Sequence, residues 1–167
     1  MIPNKYEIHG NICLLHITKR NKTIVTTFLD KKDYERVRYT QWIENSGYIR
    51  SSPKLIPIHR FILNAPRELE IDHKNSNTLD NRRKNLRLCT HKQNSASRKK
   101  NKNNTTGYKG IFYCRPYKCW DARIGRDKRT IHLGRFDNKI EAARAYNEAA
   151  KKLHGEFAKL NRGIPSR

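Results

Sequence analysis

Apolar residues in the first thirty positions recur at close to every second place: Tyr6, Ile8, Ile12, Leu14 and Ile17, then Ile24, Val25 and Phe28. A period of two predicts half-buried strands, and His9-Gly10-Asn11 and residues 19–22 supply the breaks between them. Asp30 then opens a short helix over residues 31–38, with Leu29 and Tyr34 set as a hydrophobic staple around it. Trp42 is placed to anchor that helix on the sheet. Ser46-Gly47 turns the chain into Tyr48-Ile49-Arg50, and residues 54–63, KLIPIHRFIL, give a further apolar run, taken as a strand that stops at Asn64-Ala65-Pro66.

Polar positions dominate next. Residues 69–98, LEIDHKNSNTLDNRRKNLRLCTHKQNSASR, predict a short strand ending in Asp72-His73, a polar excursion to Asn85, a second strand to Cys89, and a helix from Thr90 that carries Asn94. Thr90 with Gln93 has capping-box spacing, which fixes the helix start. Apolar residues then all but vanish, and residues 98–106 predict an extended, like-charged linker. About ten extended residues span up to roughly 33 Å, close to one turn of duplex DNA.

Periodicity resumes at Gly107. Residues 108–115, 119–125 and 129–133 predict three strands, with turns at Pro116 and at Asp127-Lys128. Asn138 with Glu141 opens a helix on which Ala142, Tyr146, Ala149, Ala150 and Leu153 recur at helical spacing, and Gly155 closes it. An alanine-lined face lies close on a sheet, so one sheet face is covered and the other is open. Alternation turns Trp120, Ala122, Ile124, Ile131 and Leu133 inward and Asp121, Arg123, Gly125, Thr130 and His132 outward. The expected fold class is α+β. Residues 1–97 form one small unit, 98–106 a basic linker, and 107–161 a three-stranded antiparallel sheet packed on one helix.

Charge narrows the class of partner. Thirty-seven Lys and Arg against 15 Asp and Glu give a net charge of +22, which points to a polyanion, nucleic acid ahead of an anionic membrane. Only 35% of residues are apolar, so neither unit is richly packed. No run approaches the roughly 18 apolar residues of a membrane span, and the opening lacks a signal-peptide core, which predicts an intracellular protein. Cys13, Cys89, Cys114 and Cys119 lack Cys-x-x-Cys spacing, so a zinc ribbon is not expected. Free thiols acting as small apolar residues fit a reducing compartment, although Cys114 and Cys119 are spaced to meet across a hairpin.

The excursion holds the candidate chemistry. Asp72, His73 and Asn94 are expected to converge on one small volume among Arg82, Arg83, Lys84 and Arg87. Phosphodiester hydrolysis needs a base for water, and a neutral imidazole at His73 titrates in the right range. Developing negative charge calls for a cation, which Asp72 and Asn94 would hold through oxygen. Oxygen ligands with a single carboxylate suit Mg2+, with Mn2+ as the variant, bound weakly until substrate phosphates complete its shell. Asn85 is a clamp whose amide ties the excursion to the backbone and orients His73. His59 and Arg60 have two readings, a second imidazole and cation near the scissile phosphate or a strand-edge pair that packs locally. His9, His16, His91 and His154 show no ligand spacing and are expected to face solvent.

The run DHKNSNTLDNRRKNLR resembles the HNH nuclease motif in the form found in phage and intron-encoded homing endonucleases. His73 matches the first motif histidine, Asn85 the central asparagine and Asp72 the metal-binding acid. Asn94 stands where many members have a second histidine, making this an HNN variant and arguing against a tight zinc or nickel site. The resemblance implies a ββα-metal unit and products with 5′-phosphate and 3′-hydroxyl ends.

A second resemblance covers residues 107–161. Tyr108-Lys109-Gly110-Ile111, Trp120-Asp121-Ala122-Arg123-Ile124, Leu133-Gly134-Arg135-Phe136, Glu141-Ala142-Ala143-Arg144-Ala145-Tyr146, Ala149-Ala150 and Leu160-Asn161 look like the plant ethylene-response-factor DNA-binding domain. That resemblance implies a sheet entering the major groove through the positions of Lys109, Phe112, Arg123, Thr130 and His132. Several family arginines and a tryptophan are replaced, so the plant target sequence does not carry over. Arg98, Lys99, Lys100 and Lys102 of the linker, with Arg115, Arg126, Lys128 and Arg129 around the sheet, complete the expected DNA-binding set. The function expected is a site-specific, metal-dependent endonuclease on double-stranded DNA, acting in a bacterial or phage-infected cell; one active centre per chain gives a monomer that nicks one strand, while a dimer, a second event or reorientation would cut both. The alternatives are an inactive DNA-binding regulator and an RNA-binding structural protein.

Overall fold

The structure, a computed structural model, describes residues 4–127 and 129–165. The chain divides into two compact units, residues 1–90 and 91–167.

In the first unit, β1 (Lys5–His9), β2 (Ile12–Thr18) and β3 (Ile24–Asp30) form an antiparallel sheet in that order. β2 buries Cys13, Leu15 and Ile17 rather than Ile12 and Leu14, so the cysteine takes a core position as a small apolar residue. A single 3-10 turn, Lys31–Asp33, leads into α1 (Tyr34–Val37). Trp42 is fully buried beside it, and its indole N–H donates to the Val37 carbonyl at 2.9 Å. β4 (Trp42–Asn45) and β5 (Tyr48–Ser51) make a hairpin.

The expected strand over residues 54–63 is instead a helix, α2 (Ile58–Leu63). Pro57 starts it in extended backbone and Asn64, with φ 48° and ψ 48°, stops it in the left-handed region. Ile58 and Ile62 lie one turn apart and both are buried, a pairing that a short apolar run permits as readily as a strand. They join Leu15, Leu29, Val37, Trp42, Ile49, Ile71 and Leu86 in one core. β6 (Glu70–His73) and β7 (Leu86–Cys89) pair antiparallel, with Asp72 opposite Arg87 and His73 opposite Leu86.

The second unit holds α3 (His91–Ser97), the antiparallel sheet of β8 (Ile111–Cys114), β9 (Cys119–Arg126) and β10 (Arg129–Phe136) with β9 central, and α4 (Lys139–His154). The Asn138 side chain accepts the Ile140 N–H at 2.7 Å and caps α4. Ala142, Ala143, Tyr146 and Ala150 pack under Ile111, Ala122 and Ile124. Gly110, with φ 76°, is required here: a Cβ at this position would meet the Arg123 carbonyl and the Tyr146 ring. Both α3 and residues 98–106 belong to this unit; Lys109 Nζ donates to the carbonyls of Ala96 at 2.8 Å and Arg98 at 2.7 Å. Several small antiparallel sheets with few helices agree with the α+β class. The four cysteines are free thiols, Cys114 and Cys119 being directly opposed across the β8–β9 hairpin. Among the described residues no helix is long and apolar enough to cross a membrane.

Candidate functional site

Burial on β6 alternates: Ile71 and His73 turn into the unit, while Glu70 and Asp72 leave the strand on the other face. His73 is 6% exposed, and its Nε2 lies 3.1 Å from Asn81 Oδ1. Asn81, fully buried, donates its amide hydrogens to Thr27 Oγ at 2.8 Å and the Thr78 carbonyl at 3.2 Å. With its nitrogen committed as donor, Asn81 offers His73 only an acceptor. The Nε2 of His73 therefore carries the proton and Nδ1 the lone pair. Burial pulls this imidazole below its ordinary range, against the Asn81 bond and the carboxylates of Asp72 and Asp80. His59 from α2 stands edge-on to the same ring, centroids 5.1 Å apart, and Tyr48 lies 6.5 Å away. Burial, then His73 and the nearby arginines, brings His59 down to about 3, and its Nδ1 has no hydrogen-bond partner among the described residues.

Asn85 spans the excursion. Its amide donates to the Asp80 carbonyl at 2.7 Å, and its oxygen accepts the Asn75 N–H at 3.0 Å. β3 holds the far side, where Phe28 N–H donates to the Leu79 carbonyl at 2.9 Å and its own carbonyl accepts Asn81 N–H at 2.8 Å. The arginines expected to face DNA here are structural partners. Arg82 binds Asp80 through Nε at 2.7 Å and Nη2 at 2.8 Å. Arg83 binds buried Asp33 and the Ile62 carbonyl, while Asp30 accepts its backbone N–H at 2.7 Å. Arg87 grips Asp72, with Nη2 at 2.6 Å and Nε at 2.9 Å. Lys84 is exposed. Asp72 and His73 thus leave β6 on opposite faces, because consecutive strand residues point apart. Asn94 lies on α3 in the second unit. Arg60 donates to the Leu69 carbonyl at 2.9 Å and packs locally.

On the open face of the second sheet, Asp121 is 3% exposed although it points away from the core. Arg123 covers it, Nε donating to Oδ2 at 3.0 Å, and His132 Nε2 stands 2.7 Å from Oδ1. Arg123 beside it holds the Asp121 carboxyl below the usual range, with His132 adding to the effect. Thr130 and Arg135 complete a shallow depression of about 400 Å³ over this acid. Arg135 escaped the alternation argument because β10 bulges between His132 and Gly134. The extra residue shifts the phase and sets Arg135 opposite Asp121, on the open face.

Phe112 is exposed under the Arg123 guanidinium at 5.9 Å, and Arg115, Arg126 and Arg129 are exposed. Lys109, brought to about 8 chiefly by burial, serves the Ala96 and Arg98 carbonyls. Arg98, Lys99, Lys100 and Lys102 are exposed, Lys100 Nζ donating to the Gly107 carbonyl at 2.8 Å. Lys128 lies outside the described residues. Of the histidines expected in solvent, His16 and His154 are half-buried; His16 Nδ1 is 2.9 Å from Thr26 Oγ.

Residues 64–96, the stretch that builds β6, the excursion, β7 and most of α3, match the family model described as HNH endonuclease. An uncharacterized HNH endonuclease of Acanthamoeba polyphaga mimivirus is 30% identical over 132 residues, 75% of this chain and 68% of that protein. The chain belongs to the HNH endonuclease family. Protein 3.8 of Escherichia phage T7 is 31% identical to this HNH endonuclease over 95 residues, 57% of the chain and 78% of that protein. An ethylene-responsive transcription factor of Arabidopsis thaliana is 48% identical over 64 residues, 36% of the chain but only 24% of the plant protein. No solved structure matches.

HNH endonucleases generally use a divalent metal. Among the described residues no three His, Cys, Asp or Glu side chains gather as a ready cage. The oxygen donors that the motif itself supplies are the Asp72 carboxylate, engaged by Arg87, and side-chain amides, and such donors fit a hard divalent cation. Sequence reasoning missed Asn81, Asp80, Asp33 and Asp121. Each is a buried polar residue: Asn81, Asp80 and Asp33 lie outside any periodic pattern, and for Asp121 alternation gave the face but not its burial under Arg123 and His132.

Proposed function

We propose that this HNH endonuclease is a site-directed DNA endonuclease of the homing type, hydrolysing phosphodiester bonds of double-stranded DNA to 5′-phosphate and 3′-hydroxyl ends. The observation that carries the reading is the pairing of His73 Nε2 with Asn81 Oδ1, which leaves a neutral imidazole with its Nδ1 lone pair as base. In this reading His73 takes the proton from the attacking water, and Asn81 and Asn85 keep the ring and its loop in position. Asp72, with Asn94, would hold a Mg2+ or Mn2+ ion, which when bound supplies charge stabilisation for the phosphate and the departing 3′ oxygen. Arg87 keeps the Asp72 carboxylate oriented.

DNA is held by the second unit. Its open sheet face, carrying Arg123, Thr130, His132 and Arg135, together with the exposed Arg126 and Arg129 at the end of the β9–β10 hairpin and the basic residues 98–102, supplies sequence-independent phosphate attraction and the surface that enters the groove. The chain acts as a monomer within the cell that contains its target, and one His73 centre per chain supports nicking of a single strand. The alternative, an inactive DNA-binding regulator, draws on Asn94 and on the commitment of Asp72 to Arg87. Duplex DNA labelled separately on each strand, incubated with and without EDTA, separates the two. The proposed reading expects one mapped nick that needs metal and is abolished in His73→Ala while binding persists; binding without any cut establishes the regulator.

A further inference from the structure

A buried acid beneath a DNA-facing surface is unexpected on electrostatic grounds, since it repels phosphate. Asp121 is such an acid: 4% of its side chain is exposed, at the floor of the depression lined by Arg123, Thr130, His132 and Arg135. The carboxylate engages one edge of the Arg123 guanidinium, where Nε and Nη2 both donate to Oδ2. The outer edge, formed by Nη1 and the remaining Nη2 hydrogen, is left with two parallel N–H groups. Guanine presents two acceptors, N7 and O6, at matching spacing in the major groove, and no other base does. Phe112 on the neighbouring strand lies under the same guanidinium, 5.9 Å from its ring centroid. His132 Nε2 stands 2.7 Å from the second carboxylate oxygen.

We propose that Asp121 and Arg123 form a guanine-reading head on the open sheet face, in which Asp121 is a positioning residue that fixes Arg123 for bidentate contact with one G·C pair. The inference rests on the reading that this chain binds duplex DNA. The occupant is B-form DNA because its major groove admits strands, whereas the deep, narrow major groove of an RNA helix does not. Asp121 gains nothing for phosphate affinity; its contribution is orientation.

The test is site selection by the full chain, in EDTA to prevent cutting, from a pool of random duplexes, followed by titration of the selected duplex and of random duplex. The wild-type chain is expected to fix one guanine, and replacing it with 7-deazaguanine should weaken binding roughly 5- to 150-fold. In Asp121→Ala that preference should fall below about 3-fold, with the other selected positions kept and random duplex bound as tightly or more tightly. Arg123→Ala should lose the same position. Thermal unfolding monitors each variant, and Asp121→Asn, which keeps the shape, replaces Asp121→Ala if that chain does not fold. An unchanged preference in both Asp121→Asn and Arg123→Ala overturns the inference, as does equal weakening on selected and random duplex, which marks Asp121 as purely structural. Random duplex bound by wild type without any selection overturns this inference and leaves the endonuclease reading standing. Failure to bind any duplex overturns both.

Discussion

The excursion of the first unit and the sheet of the second contain the same residue types and use them in opposite ways. Around His73, Arg82, Arg83 and Arg87 each close on an acid of the fold, Asp80, Asp33 and Asp72. On the second sheet Arg126, Arg129 and Arg135 are exposed, and the deeply covered Asp121 serves the surface itself. The difference lies in what else holds each region. The loop between β6 and β7 has little hydrocarbon to bury, so ion pairs and amide bonds fix its path. The sheet is held from behind by the alanine face of α4, which leaves its outer side chains available for a ligand. Arginine here is left for a ligand where an apolar layer already supplies the fold, and is drawn into the fold where none does.

The sharpest way to break this contrast is His73→Ala. Loss of a general base should cost about 10²- to 10⁴-fold in nicking rate, with DNA affinity unchanged, measured by single-turnover cleavage beside a binding titration. A variant that lost binding equally would erase the division of labour between the two units. Next is Arg83→Ala, which strands Asp33, a residue 1% exposed. Leaving that carboxylate unpaired should destabilise the first unit by about 3 kcal/mol, read by urea unfolding, the low end of the range because Arg83 itself is partly exposed. Gly110→Ala tests the hydrocarbon support of the sheet: at positive φ and against Tyr146 it should cost about 1–3 kcal/mol in the second unit and spare the first.

The pH profile gives a finer test. His59 has its pKa lowered to about 3 in the folded chain, so the unfolded chain binds the extra proton first. Stability contributed by neutral His59 is present above about pH 6.5 and declines as pH falls towards the folded value, by about 1.4 kcal/mol per pH unit. His73, also lowered, adds to the same slope. His59→Phe should flatten the decline between about pH 6.5 and pH 5, a window above the ordinary carboxylate range. The smallest effect is expected at Arg129. Arg129→Ala should leave unfolding unaltered and reduce the salt dependence of DNA binding by about one unit of slope, whereas Arg83→Ala should leave that slope alone.

Several elements were legible because one period or one cap dominates them. The alanine face of α4 appears in the spacing of Ala142, Tyr146 and Ala150, and Asn138 announces its start. β6 and β7 end close to where Asp72-His73 and Cys89 predicted. The run 54–63 was not legible: an apolar stretch bounded by Pro and Asn satisfies a strand and a short helix alike, and contact with Trp42 and Ile49 decides for α2. Arg135 was hidden by one bulge residue, because alternation carries its phase forward unless something resets it.

The amino-acid order by itself determined the HNH motif, the basic character of the chain and the two-sided character of the second sheet, because each is a local property of spacing or composition. Tertiary structure alone decided which nitrogen of His73 holds the proton, which arginines are engaged and why Asp121 is buried under a cationic face. Those depend on partners tens of residues away, Asn81 on Thr27 and Arg83 on Asp33, and on directional bonds that no one-dimensional pattern encodes.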